Sequence, residues 1–259
     1  VDVQSYFVRR MQKIINSKGK KMMGWDEILQ GGLTGDAVVM SWQGVKGGIE
    51  AAKQGHKVVM SPNDYNYIDY YQGELTAVGK VQRGSRMKTT YGFEPVPAGI
   101  DPSLILGNQA NQWTEQLQTM RKVQYMTWPR GMAVAETNWS PAEKKNWNSF
   151  TKKVESQFEK LDAADVVYAK SMYDPIVTTQ LNTKGEIIVK MEGEVDGLTI
   201  YYTIDDQMPD KYSDLYTTPF VLPEDVLSVR IITYRDGKQI GKFLNIPMVS
   251  LKSRAKKIL

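Results

Sequence analysis

KKMMGW at residues 20–25 decides the fold of this chain, together with AVVMSW at residues 37–42 and KVVMSP at residues 57–62. The three runs are short and almost continuously apolar. Strands of a parallel sheet have this composition because helices cover both faces of the sheet. Trp25 and Trp42 each close a run, and the carboxyl ends of parallel strands are where α/β proteins bind ligands. The pattern therefore predicts an α/β fold with a sugar site beside these two indoles.

Helical periodicity surrounds these strands. Apolar residues recur every three or four positions over residues 3–17, which predicts an amphipathic helix that Gly19 ends in the left-handed conformation. A weaker helix is predicted over residues 46–54, where each of two glycines costs about 1 kcal/mol relative to alanine. The other predictions are a functional loop over residues 63–101, a strand over 103–107, helical structure over 120–139 and a helix opened by Ser140-Pro141 that runs to about Leu161. This order of elements resembles half of an eight-stranded barrel.

The composition of the chain changes after about Asp174. Short β-rich runs at residues 185–190, 199–204 and 228–234 are separated by turn signals such as the Asp-Gly pair at 236–237. Their spacing predicts a small antiparallel β-sandwich. The predicted domains are therefore residues 1–172, the second half of a TIM (β/α)8 barrel with a long connecting helix at its end, and residues 173–259, a β-sandwich accessory domain.

The composition excludes several classes of protein. The 259 residues carry 33 basic and 29 acidic side chains, a balance that does not favour a nucleic-acid surface. No apolar run approaches the roughly 20 residues needed to span a bilayer. With no cysteine and His56 as the only histidine, the chain offers neither a thiolate nor a histidine-rich metal site. We therefore expect no membrane span, no metal and no cofactor in a chain that begins at Val1 as a processed or truncated one would.

Four motifs resemble one family in both order and position. They are GWDE at residues 24–27, SWQG at 41–44, YIDYYQ at 67–72 and WTE at 113–115, and the family is glycoside hydrolase family 20, the β-N-acetylhexosaminidases. Residues 125–139 resemble the helix that follows that family's last barrel strand. Three later segments, at residues 198–205, 216–220 and 234–237, are similar to the C-terminal domain of chitobiase-type hexosaminidases. The resemblance covers nearly the whole chain.

The resemblance implies hydrolysis of a terminal N-acetylhexosamine by a substrate-assisted retaining mechanism. The substrate's own acetamido oxygen attacks the anomeric carbon in place of an enzyme nucleophile. Three indoles, Trp25, Trp42 and Trp113, correspond to the walls that confine the acetamido group. Tyr67 corresponds to the donor to the acetamido oxygen as charge develops there. Asp69 and Glu115 correspond to the carboxylates that hold the outer hydroxyls of the sugar, O4 and O6.

The resemblance also implies that part of the machinery is missing. In the family, an adjacent Asp-Glu pair at the end of the fourth strand orients the acetamido nitrogen and protonates the leaving oxygen, and an arginine from the first strand grips O3 and O4. Asp26-Glu27 is also adjacent and acidic, but it follows the tryptophan of the next strand and so matches a different family position. We therefore expect this chain to be inactive alone and the parent to be a periplasmic, secreted or cell-surface bacterial protein.

Structural explanations of the same residues remain open. The three indoles could be packing at the rim of a barrel, Tyr67 could be packing among neighbouring tyrosines, and Asp69 and Glu115 could be solvated surface acids. The three tryptophans at helical positions are more typical of core residues than of a site, and they are Trp128, Trp139 and Trp147.

Two other functional classes remain open beside the enzyme. One is a non-catalytic carbohydrate-binding protein whose aromatic residues stack on sugars, and the other is an interaction module in which the β-sandwich does the binding. Four strands cut from a closed barrel would also leave two exposed edges and an apolar face. We therefore expect the chain to self-associate through these edges or to cover them with its own segments.

Overall fold

The computed structural model describes residues 2–33, 35–75 and 83–257. The chain divides into two compact units. Unit 1 comprises Val1–Asp69 and Lys88–Asn146, and unit 2 comprises Tyr70–Met87 and Trp147–Leu259. The units thus divide the chain at residue 146, whereas the predicted domain boundary lies at residue 172, and they also assign an internal segment to unit 2. Residues 76–82 of the predicted functional loop lie outside the described residues.

Unit 1 is built on a parallel sheet of four strands in the order β1-β2-β3-β4. The strands are β1 (Met23–Trp25), β2 (Val38–Ser41), β3 (Val58–Met60) and β4 (Ile105–Asn108). Val39, Val58 and Met60 are fully buried, which accounts for the near-continuous apolar composition of these runs. The predicted α/β fold is therefore confirmed, and Trp25 and Trp42 lie at or just after strand carboxyl ends as expected.

In the described part of the chain, one α-helix precedes these strands and five connect or follow them. They are α1 (Asp2–Ser17), α2 (Lys46–Lys53), α3 (Asn63–Asn66), α4 (Met87–Tyr91), α5 (Met120–Thr127) and α6 (Arg130–Trp139). Gly19 has a φ of 68°, as predicted for the residue that ends α1. Helix α2 contains two glycines, and at one of them, Gly48, a side chain would not fit. A Cβ at Gly48 would lie 2.6 Å from the Met60 sulfur. The missing side chain lets the helix approach the sheet closely.

The structure corrects two predictions for residues 139–161. The helix predicted to open at Ser140-Pro141 forms, but it begins only at Trp147 and ends at Ala163, because Pro141 has a ψ of 144° and a short 3-10 turn, Ala142–Lys144, follows it. Lys145 is extended, and its ammonium donates to the Phe93 carbonyl at 3.1 Å. Trp139 is not a core residue but 87% exposed, because it lies opposite the buried face of α6.

Unit 2 contains two β-sheets that contribute to one apolar cluster. The first has the strand order β11-β10-β7-β8 with β12 also on β10, and the second has the order β13-β5-β6-β9. The strands are β5 (Ile176–Leu181), β6 (Ile187–Glu192), β7 (Thr199–Thr203), β8 (Asp214–Leu215), β9 (Phe220–Val221), β10 (Ser228–Arg235), β11 (Lys238–Gln239), β12 (Leu244–Pro247) and β13 (Lys256–Lys257). Positive φ at both Asp236 and Gly237 fits the turn predicted between β10 and β11.

Unit 2 is not purely β-structure. It also contains α7 (Trp147–Ala163) and α8 (Met248–Arg254). The segment before α4 belongs to it through ion pairs: Arg86 donates to the Glu194 carboxylate at 2.7 Å, and Arg254 donates to the Glu74 carboxylate at 2.5 Å. Arg86 also donates to the Asp174 carbonyl at 2.7 Å. These pairings join residues up to 180 positions apart, a distance at which periodicity gives no signal.

The buried carboxyl of Asp174 gives unit 2 a pH-dependent stability. Burial raises its pKa from 3.8 to about 6, against the opposing effect of the Lys242 N–H that donates to it at 2.8 Å. A pKa above that of the unfolded chain means that the folded state binds more protons. The contribution of Asp174 to stability is therefore most favourable below pH 3.8 and is lost as the pH rises through about 6, by about 2 to 3 kcal/mol in all.

We expect Asp174→Asn to remove this loss, because an amide oxygen can still accept the Lys242 N–H without ionising. Urea unfolding of unit 2 at several pH values between 4 and 7 measures the effect. Asp225→Asn, which changes an exposed carboxylate, is the matched control and should follow the parent chain. An Asp174→Asn profile parallel to that of the parent chain would contradict the assignment.

Candidate functional site

Four aromatic side chains that the sequence selects form one cluster in unit 1. The rings of Trp42 and Tyr67 are stacked, with centroids 6.2 Å apart and planes inclined by 18°. Trp113 lies 6.2 Å from Tyr67 and 5.9 Å from Trp25, tilted against both. The four come from separate segments that follow or end parallel strands, and such strand ends meet at one edge of a sheet. The structure therefore brings all four predicted aromatics together.

The cluster lies at the surface and is not part of a dry core. Trp113 is 43% exposed, and Trp25 and Trp42 are half-buried. Only Tyr67 is buried among the four. Indole faces that are partly open to solvent beside a buried phenol are suited to contact a flat, partly apolar ligand such as a sugar ring.

Asp26 and Glu27 hold Trp42 in place. The indole Nε1–H of Trp42 donates to both carboxylate oxygens of Glu27, at 3.0 and 3.1 Å. One oxygen of Asp26 accepts the backbone N–H groups of Trp42 and Gln43, each at 3.2 Å. Hydrogen bonds to a charged acceptor each contribute about 1.5 to 3 kcal/mol, so the indole has a defined orientation. Burial raises the pKa of Asp26, and the nearby charge of Glu27 raises it further.

Asp69 lies beside the aromatic cluster. Burial raises the pKa of its carboxyl, which the nearby backbone N–H of Trp113 opposes, so Asp69 lies next to one of the predicted walls. The negative charge of Glu115 acts in the same direction as burial, while Arg130 opposes it. The two predicted carboxylates are thus close enough to interact electrostatically. Glu115 itself is exposed.

Arg130 is a buried residue that lies behind the candidate site. The sequence patterns assign no role to this arginine. It is fully buried and donates to the carbonyls of Ile68 and Met126, at 2.7 and 2.8 Å. Ile68 stands between Tyr67 and Asp69, so the guanidinium fixes the backbone that carries both. Burial lowers the pKa of Arg130 to about 9, with the Asp69 charge opposing the shift, and the group remains protonated at neutral pH.

The described residues contain no group of three histidine, aspartate or glutamate side chains placed to hold a metal ion. In the same part of the chain, every helix is too short or too polar to cross a bilayer.

Loss of the buried Arg130 guanidinium should destabilise unit 1. We expect Arg130→Met to lower the free energy of unfolding of unit 1 by about 3 kcal/mol or more, because two buried carbonyls lose their donor and the Asp69 charge loses its partner. Urea unfolding followed by tryptophan fluorescence measures the change. Arg121→Met, at an exposed position of α5, should change it by less than about 0.5 kcal/mol. Equal stability of the two variants would contradict the supporting role of Arg130.

Comparison with known proteins identifies relatives of both units. The model of the glycosyl hydrolase family 20 catalytic domain matches residues 1–142, and the Fn3 associated model matches residues 189–246. The β-hexosaminidase of Porphyromonas gingivalis is 32% identical over 243 residues, which cover 90% of this chain and 31% of that protein. The β-N-acetylhexosaminidase of Cellulomonas fimi is 31% identical over 148 residues, which cover 54% of this chain and 30% of its own.

Solved structures show the same likeness. The family 20 exo-β-N-acetylglucosaminidase of Vibrio harveyi, in complex with N-acetylglucosamine, matches with a TM-score of 0.57 and 28% sequence identity. The match covers 65% of this chain and 27% of that enzyme. The chain therefore spans between 27% and 31% of the length of these three relatives.

Proposed function

The chain belongs to glycosyl hydrolase family 20, and we propose that it forms the sugar-binding part of a β-N-acetylhexosaminidase. The proposed substrate is a glycan or chitooligosaccharide with N-acetylglucosamine or N-acetylgalactosamine at its non-reducing end. One observation carries the proposal, namely the surface cluster of Trp25, Trp42, Tyr67 and Trp113 at one edge of the parallel sheet. The N-acetylglucosamine in the complex of the V. harveyi relative supports this choice of sugar.

The proposed reaction uses the substrate's acetamido group as the nucleophile. Its carbonyl oxygen bonds to the anomeric carbon as the glycosidic bond breaks, and a general acid gives a proton to the leaving oxygen. Water then attacks the anomeric carbon and releases the sugar with its configuration retained. The three indoles confine the acetamido group beneath the ring, while the Tyr67 hydroxyl donates to the oxygen on which charge changes most.

Asp69 and Glu115 are proposed to accept hydrogen bonds from the outer hydroxyls of the sugar. The nearby backbone N–H of Trp113 supports this role, because it places the Asp69 carboxyl beside the indole wall. Arg130 supports it from behind by fixing the carbonyl of Ile68. A sugar held at its hydroxyls and confined at its acetamido group has little freedom left, which is the condition for efficient intramolecular attack.

We propose that the four parallel strands of unit 1 are the second half of a (β/α)8 barrel and that the two sheets of unit 2 form a β-sandwich. The first half of the barrel, with the Asp-Glu pair that acts as acid and orients the acetamido nitrogen, would come from residues outside these 259. The lengths of the relatives support this, since the chain covers less than a third of each of the three. These residues alone are then inactive.

An activity assay tests the proposed function. We expect the full-length protein to release p-nitrophenol from p-nitrophenyl N-acetyl-β-glucosaminide and the 259-residue chain to release none. Tyr67→Phe in the full-length protein should lower kcat by about 10²- to 10³-fold, the loss typical of a donor to a developing charge.

Tyr70→Phe is the matched control for this assay, since its hydroxyl accepts from Arg83 at 3.3 Å and has no role in the proposed pocket. It should leave kcat within about twofold of the parent. A full-length protein that binds N-acetylglucosamine without turnover would replace the enzyme with a carbohydrate-binding protein. Turnover by the 259-residue chain itself would refute the placement of the acid pair.

Exposed apolar side chains of unit 1 support the proposal that the chain self-associates. Met23 on β1 and Leu106 on β4 are about half exposed on the two edge strands of the sheet. Helix α1 exposes Val3, Phe7 and Ile14 along one face. Exposed apolar side chains along one helix face and open strand edges are templates for association.

We expect sedimentation to show oligomers of the 259-residue chain whose share grows with concentration. Phe7→Glu and Leu106→Glu should shift the distribution toward monomer, since each places a charge on the apolar surface. Tyr212→Glu, at a still more exposed aromatic of unit 2, should leave it unchanged. A compact monomer of the unsubstituted chain, with little apolar surface accessible to dye, would rule this association out.

A further inference from the structure

The acidic pair next to Trp25 has a structural partner in the site. Both carboxylates point to Trp42, Glu27 through the indole N–H and Asp26 through the backbone N–H. Neither carboxylate is therefore placed as an independent acid beside the cluster. The two residues open a 3-10 helix, Asp26–Leu29, so one short rigid element presents both of them.

The surroundings leave space for this arrangement. A Cβ at Gly47 would lie 2.7 Å from the Asp26 carboxylate and 2.8 Å from its Cβ, so the absence of a side chain at this position of α2 makes room for the acid. The Ser41 hydroxyl lies 3.4 Å from the same carboxylate oxygen. Asp26 is buried, whereas Glu27 is half-buried at the edge of a cleft of about 290 Å³. The backbone is thus held by a buried group and the ring by a more accessible one.

We propose that Glu27 is a positioning residue that sets the angle of the Trp42 ring against the substrate. The proposal rests on the proposed function, in which Trp42 is a wall for the acetamido group. One edge of the indole is fixed by the carboxylate of Glu27, and one face is covered by Tyr67, stacked at 6.2 Å. Without the carboxylate the ring can turn about its side-chain torsions while the backbone, held by Asp26, stays in place.

The consequence for catalysis is a loss of turnover with little loss of binding. The wall is needed most when the acetamido oxygen approaches the anomeric carbon, and a misplacement of about 1 Å can cost about 10²-fold in rate. Glu27→Leu in the full-length enzyme removes the acceptor, and we expect kcat to fall about 10- to 100-fold with KM changed less than about threefold. Glu27→Gln keeps an acceptor oxygen and should restore kcat to within about fivefold of the parent.

A double-mutant cycle separates positioning from general destabilisation. Trp42→Phe removes the N–H that Glu27 accepts, so adding Glu27→Leu to it should have no further effect on kcat. Glu50→Leu, at an exposed glutamate that lines the same cleft, is the control and should leave kcat unchanged. Additive losses in the double variant, or a Glu27→Leu enzyme with normal kcat, would overturn the positioning role while leaving the proposed function intact.

Spectroscopy of the 259-residue chain tests the contact without activity. In a ¹⁵N–¹H spectrum, the indole signal that disappears in Trp42→Phe should shift or broaden in Glu27→Leu, while the five other indole signals stay in place. An unshifted Trp42 signal would overturn the contact itself. A full-length parent enzyme that lacks hexosaminidase activity would overturn the proposed function, and the role of Glu27 with it.

Discussion

The rest of unit 1 depends on one constraint, the parallel pairing of neighbouring strands in the sheet β1-β2-β3-β4. It requires every strand to end at the same edge of the sheet, so residues far apart in sequence arrive together there. Val39, Val58 and Met60 are fully buried in this sheet, with Val39 paired to Val58 and Ser41 to Met60. The aromatic cluster is therefore a product of sheet geometry, and few direct contacts between its members are needed to assemble it.

Buried charges supply the second level of order. Asp26 and Arg130 each hold backbone groups next to a ring or carboxylate of the candidate site, and neither is exposed to compete for the ligand. Burying a charged group is costly unless hydrogen bonds compensate, and both groups bond to the backbone: Asp26 accepts from Trp42 and Gln43, and Arg130 donates to Ile68 and Met126. Buried charged side chains thus hold the backbone at Trp42 and beside Tyr67 and Asp69.

Periodicity and strand-end position predict much of this structure. The four strands, helices α1 and α2 and the four aromatics of the cluster all follow from patterns within about 20 residues. The contact of Glu27 with Trp42, the role of Arg130 and the inclusion of residues 70–87 in unit 2 do not, because each depends on partners that folding alone brings together. The helix expected from Ser140 begins instead at Trp147 for a local reason, the non-helical backbone at Pro141 and Lys145.

The chain leaves unit 1 after Asp69 and returns to it at Lys88. Because Arg86 in this excursion is bound to Glu194, no single cut in the polypeptide releases either unit whole. A deletion of the β-rich C-terminal part would remove Glu194 and leave its ion-pair partner, Arg86, in the remaining chain. A module boundary placed at either residue 146 or residue 172 would therefore divide unit 2.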